Sequence, residues 1–116
     1  MKKGDSVYLR HILDAISRIE EYTQGVTYEQ FMENHLIQDG VIRQIEIIGE
    51  STKRLSGGIR EKYTEIPWKD IAGMRNKLIH DYFGVDLDAV WDTVERDIPF
   101  LRRKVKEILE REGRET

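Results

Sequence analysis

Apolar residues return every third or fourth position through most of this chain, and that spacing, close to the roughly 3.6 residues of a helical turn, constrains its fold more than any other feature. From Val7 to Tyr22 the positions Val7, Leu9, Ile12, Leu13, Ala15, Ile16, Ile19 and Tyr22 make one helical stripe. Asp5 or Ser6 is placed to cap its start, and Gly25 lies just past its end. Thr27-Tyr28-Glu29-Gln30 has the form of a capping box and predicts a short second helix through Phe31 and Met32. A third helix is predicted over Leu36 to Leu55, burying Ile37, Val41, Ile45, Ile48 and Leu55. Gly40 and Gly49 inside it are unfavourable by up to about 1 kcal/mol each relative to alanine, which predicts close packing against a neighbouring backbone.

Ser56-Gly57-Gly58 ends that helix, and a short helical turn from Ile59 to Tyr63 follows. Pro67 suits the first position of a further helix reaching His80 or Tyr82, with Gly84 as its stop. Asp86 then caps a helix from Leu87. Pro99 predicts a break near Asp97, with Asp97 capping a last helix from Ile98 to about Glu112 and a frayed tail from about Arg111. No run alternates long enough for a strand. The fold expectation is all-α: one domain over 1–116, a bundle of about five helices. At 116 residues the chain is long enough for one ordinary core.

Composition narrows the chemistry. With no cysteine, thiol nucleophiles, thiolate metal sites and disulfides are excluded, and a reducing compartment is the natural reading. No apolar run approaches the roughly 18 residues of a membrane span, and the start lacks the apolar core of a secretory signal, so the expectation is a cytoplasmic protein without a membrane partner. The 19 basic and 22 acidic residues give a net charge of −3, which argues against a general nucleic-acid coat and leaves room for a small, locally basic site. His11 and His35 stand alone, without a second histidine at ligand spacing, so neither metal nor cofactor is expected. The charged runs Arg102-Arg103-Lys104 and Glu110-Arg111-Glu112 read as solvated helix faces.

The segment from Ile71 to Tyr82 stands out. On a continuous helix Ile71, Met74, Leu78 and Ile79 share a stripe, and Arg75 falls within it. A guanidinium there requires either a carboxylate partner or a cleft that binds an anion. Asn76 and His80 are four apart on the neighbouring flank, and Tyr82 can bring a phenol to the same side. A planar, always-charged fork and an imidazole are residue types that suit phosphodiester chemistry, although packing roles explain the same residues equally well. Glu46 and Glu50 are four apart on the third helix. Either one of them orients Arg75 or His80, or both are solvated and pair with Arg43, Lys53 or Arg54.

Arg75, four intervening residues, then His80-Asp81-Tyr82 resembles the Arg-x4-His-x-Tyr motif of the HEPN superfamily. The flanks are similar to its HepT-like branch over nearly the whole chain: Leu13 to Tyr22, Asp39-Gly40-Val41-Ile42-Arg43, Ile45 to Glu50, Ile66-Pro67-Trp68, Gly73 to Asn76, His80 to Asp86 and Val90-Trp91. The resemblance implies an all-α homodimer acting as a metal-independent endoribonuclease toxin. Its implied partner is a minimal nucleotidyltransferase antitoxin. Carried over by residue, Arg75 and His80 become the catalytic pair, Asn76 a polar helper, and Tyr82 the residue that the partner modifies with AMP. Two facing copies would gather the arginines, histidines and tyrosines into one basic cleft for the RNA substrate. The alternative is a non-catalytic nucleotide-binding or regulatory subunit of a nucleotidyltransferase, and a purely structural dimerisation bundle is a third reading.

Overall fold

Three long helices carry the core. The computed structural model describes residues 1–80 and 84–114. In chain order these form α1 (Lys3–Thr23), α2 (Tyr28–Glu33), α3 (His35–Lys53), α4 (Gly57–Lys62), α5 (Trp68–Ala72), α6 (Met74–Leu78), β1 (Ile79–His80), β2 (Gly84–Val85), α7 (Leu87–Asp92), a π-helical turn at Thr93–Asp97, and α8 (Ile98–Arg114). The architecture is mainly helical, as the periodicity predicts, in more and shorter segments than about five.

The stripe of α1 is buried at Leu9, Ile12, Ala15, Ile16 and Ile19, and it joins Val41, Ile45 and Ile48 of α3 and Leu101, Val105 and Ile108 of α8 in one hydrophobic cluster. Each such branched side chain contributes roughly 1.5–3 kcal/mol when fully removed from water. Close approach at two glycines lets α3 sit tightly among its neighbours. A Cβ on Gly40 would lie 3.1 Å from the ring of Tyr22, and one on Gly49 would lie 3.3 Å from the carbonyl oxygen of Ala72. Gly49 meets a neighbouring backbone as expected, whereas Gly40 makes room for a side chain instead. The Thr27 capping box is complete: the Thr27 hydroxyl accepts from the Gln30 N–H, and the Gln30 side chain accepts from the Thr27 N–H.

Several boundaries differ from the sequence expectation, each for a physical reason. Helix α1 begins two residues before Asp5, and Asp5 caps nothing. Its buried carboxylate instead accepts from the Ser56 N–H at 2.8 Å and the Ser56 hydroxyl at 2.6 Å, tying the start of α1 to the turn after α3. Helix α3 starts at His35 because Asn34 caps it, its side chain accepting from the Ile37 N–H. Leu36, the expected first residue, lies inside α3 and is 84% exposed. No break occurs at Pro99, and Asp97 is not a cap. The π turn at Thr93–Asp97 widens the helix just before the proline, so the missing N–H and the ring are accommodated in a continuous rod. The tail is not frayed from Arg111: α8 runs to Arg114. Glu112, expected on a solvated face, extends the stripe of Ile98, Leu101, Val105 and Ile108, and it is buried, accepting from Lys62 Nζ at 2.8 Å and the Tyr63 hydroxyl at 2.6 Å.

Candidate active site

The helix that Pro67 initiates is shorter than its stripe predicts. Pro67 sits at the N-cap of α5, and Gly73, with φ −93° and ψ 5°, interrupts the helix before α6. The Ile79 backbone is extended at φ −115° and ψ 114°, a conformation that suits a β-branched residue. Helix α6 therefore ends at Leu78, and the chain continues as a two-residue antiparallel ladder in which Ile79 pairs with Val85 and His80 with Gly84. The Asp86 N–H donates to the Leu78 carbonyl at 2.9 Å and closes the structure. Gly84, at φ +81°, supplies a left-handed turn that a side chain would strain.

This local break changes the geometry expected at the site. Ile71, Met74 and Leu78 are buried as predicted, but Ile79 leaves the helix for β1, and Arg75, at the edge of the remaining stripe, is exposed. Asn76 is also exposed. Asn76 and His80 do not share a helical flank, since the backbone of His80 belongs to β1. Tyr82 lies outside the described residues.

One of the two candidate carboxylates faces Arg75. Arg75 Nε donates to Glu46 Oε2 at 3.4 Å, with both side chains partly solvated, while Glu50 pairs with Lys53 at 3.3 Å on the exposed side of α3. The contact arises from the close approach at Gly49, which presses the end of α5 onto α3 one turn beyond Glu46. The long Nε contact steadies the guanidinium and leaves its terminal N–H groups uncommitted among the described residues. Such groups can grip a phosphate in a planar fork.

The downstream end of the segment is anchored as firmly. Asp86 caps α7 by accepting from the Ala89 N–H at 3.0 Å, as its sequence position predicts. Trp91 of α7 packs against Phe31, with ring centroids 5.0 Å apart, and against Tyr28 at 6.4 Å. The exposed Tyr28 hydroxyl donates to Asp88, and that hydrogen bond raises its pKa above the ordinary 10.0. His11 and His35 are both exposed, away from any metal-ligand cluster among the described residues. No helix among the described residues is long and apolar enough to cross a membrane.

Beside α6, between it and the start of α8, lies a cavity of about 370 Å³ that sequence reasoning missed. Its lining comes from two separate segments, 67–78 and 93–101, so no local pattern could announce it.

Comparison with known proteins adds to this geometry. A family model described as ribonuclease HepT-like matches residues 12–108. A Caldanaerobacter subterraneus protein provisionally named an RNase is 45% identical over 105 residues, which cover 90% of this chain and 94% of the relative. A Thermococcus cleftensis protein provisionally named ribonuclease HepT is 44% identical over 108 residues, covering 93% of this chain and 98% of the relative. A Methanocaldococcus jannaschii protein, named gamma-glutamylcyclotransferase and provisionally RNase, is 50% identical over 110 residues. There the match covers 95% of this chain, which spans only 50% of the relative's length. No solved structure matches the chain.

Proposed function

The chain belongs to the ribonuclease HepT-like family, and from that premise we propose that it is an endoribonuclease toxin in which Arg75 and His80 carry the chemistry. The observation that carries this reading is the exposure of Arg75. A guanidinium held by one long contact to Glu46, with its terminal donors uncommitted among the described residues, has little structural work to do. It is well suited to an anionic substrate.

In the proposed reaction the 2′-oxygen of RNA bonds to the adjacent phosphorus, and the bond from phosphorus to the 5′-oxygen breaks. The products are a 2′,3′-cyclic phosphate and a 5′-hydroxyl. The proton lost from the 2′-hydroxyl passes to a base, and the leaving 5′-oxygen gains one; His80 acts in this transfer. Arg75 stabilises the charge that develops on the non-bridging oxygens. Asn76 supplies a further polar contact from the same exposed face. No metal or cofactor is required for this balance. A homodimer would double these groups across one cleft and offset the net charge of −3 locally.

Control is assigned to a minimal nucleotidyltransferase antitoxin. It transfers AMP from ATP to the Tyr82 hydroxyl and releases pyrophosphate. The added phosphate would occupy Arg75 and exclude the substrate.

The test is cleavage of a labelled RNA by the pure protein, beside the same RNA with every 2′-hydroxyl methylated. The expected result is cleavage of the first only, falling about 100-fold or more in Arg75→Ala and His80→Ala with helical content unchanged. Cleavage of the methylated RNA, or full activity in either variant, would refute the mechanism. Tyr82→Phe should stay active after incubation with the antitoxin, ATP and magnesium, whereas the wild-type chain should gain the mass of AMP and lose activity.

A further inference from the structure

The cavity beside α6 has a composition that its apolar floor alone does not explain. Buried Ile71, Met74, Leu78 and Leu101 form that floor. Its lip carries Lys69, Asp70, Lys77 and Asp97, all exposed. Two signs of charge thus meet on one rim, yet none of these four side chains has a hydrogen bond or ion pair among the described residues. The half-buried ring of Phe100 completes the wall, with the cationic groups of Arg103 and Lys104 at 5.7 and 5.8 Å from its centroid. The π turn contributes both Thr93 and Asp97 to the lining, and such turns recur at functional sites.

Its size falls in the range of roughly 300–1,000 Å³ typical of small-ligand pockets. A purely aliphatic occupant would leave the four charges on the rim without use. A nucleobase uses every part: a π face against Phe100, an apolar body against Met74 and Leu101, and polar edge groups against carboxylates. Position favours a base that belongs to RNA. Leu78 of the floor is Arg75's neighbour on the surface of α6, at the i+3 spacing. Leu78 thus links the floor of the cavity to the turn of α6 that carries Arg75, where the proposed reaction places the substrate phosphate.

We propose that this cavity is a nucleobase subsite for bound RNA, in which Asp70 and Asp97 accept hydrogen bonds from an exocyclic amino group and Phe100 supplies a stacking face. Adenine, cytosine and guanine carry such a group. Uracil, whose edge places carbonyl oxygens against the carboxylates, is disfavoured. Lys69 and Lys77 neutralise the flanking phosphates. The inference rests on the ribonuclease reading for its substrate, and its test is independent of cleavage.

The experiment measures binding of short 2′-O-methyl oligomers of A, C and U, and of AMP, to the full chain by fluorescence anisotropy competition. The A and C oligomers are expected to bind about tenfold more tightly than the U oligomer, and about tenfold more tightly than AMP. Asp97→Asn, at an exposed position that should not disturb folding, is expected to erase most of the difference between A or C and U. Phe100→Leu keeps apolar volume and is expected to weaken all three oligomers by about tenfold. Equal binding of A, C and U, or a preference untouched by Asp97→Asn, overturns the base assignment even if the protein cleaves RNA. AMP binding as tightly as the oligomers overturns the RNA assignment in favour of a free nucleotide. Base preference with no cleavage of unmethylated RNA leaves the subsite standing and removes the catalytic reading.

Discussion

Replacing Asp5 by alanine should cost the protein about 3 kcal/mol. The buried carboxylate receives two short bonds from Ser56, 2.8 Å from the backbone N–H and 2.6 Å from the hydroxyl. Bonds to a charged acceptor contribute roughly 1.5–3 kcal/mol each, and relief from desolvating the carboxylate offsets part of that. The loss is a large share of the total, since domains of this size are stable by only about 5–15 kcal/mol. It should lower Tm by roughly 10 °C. Ser56→Ala removes one bond and leaves the backbone bond intact, so it should cost about 1–2 kcal/mol. The double variant should then show a coupling of about 1–2 kcal/mol. Urea titrations followed by far-UV circular dichroism measure all three, with an unchanged m-value as the check that the folded state is the same. A loss below about 0.5 kcal/mol for Asp5→Ala, or a coupling near zero, would refute the reasoning and show that the Ser56 bonds add nothing to stability.

Other outcomes follow from features already described. Glu46→Ala should change stability by less than about 1 kcal/mol, because its pair with Arg75 is partly solvated, while lowering kcat for RNA cleavage about tenfold with KM little altered. Glu46→Gln, which keeps an acceptor, should retain most of the activity, and no loss in either variant would remove the positioning role. Gly49→Val should destabilise by about 1–3 kcal/mol through collision with the Ala72 carbonyl, whereas Gly4→Ala, where the added methyl meets open space, should stabilise by a few tenths of a kcal/mol. Stability measured against pH should fall at both extremes through one cluster. The Lys62 and Tyr63 hydrogen bonds hold the Glu112 carboxyl below its ordinary 4.5, so its contribution is present above that value and is lost as pH drops through the depressed one. Burial, and then the bond to Glu112, raises the Tyr63 phenol above 10.0, so its contribution is present below that value and is lost as pH climbs through the raised one. Glu112→Gln should flatten the acidic limb.

What could be read from the sequence was what is decided locally. The Thr27 capping box and the Asp86 cap each involve residues within three positions, and both stand as expected. The backbone approach at Gly49 was legible because glycine in a helix interior needs a reason, whereas at Gly40 the neighbour is the Tyr22 side chain. Asp5 was misread because its partner, Ser56, is 51 residues away. Glu112 was misread because neighbouring charges masked a stripe that it extends at the correct spacing. At the site, the residue types around Arg75 were legible and their arrangement was not. Strand pairing took Ile79 and His80 off the helix, and Arg75 lies in solvent at the edge of the stripe that remains.

From Leu87 to Arg114 the chain is one uninterrupted rod, roughly 40 Å long at about 1.5 Å per residue, against a longest molecular dimension of 46 Å. It acts as a ruler with both ends fixed, by the Asp86 cap at one and the Glu112 cluster at the other. Insertion of one residue in α8 would rotate everything beyond it by about 100°, withdrawing Ile108 and Glu112 from the interior together. A seven-residue insertion would nearly restore the phase, yet it would carry Glu112 about 10 Å past Lys62 and Tyr63. Length variation among relatives of this chain should therefore be excluded from the rod and collect in the short connections, where neither phase nor reach is being measured.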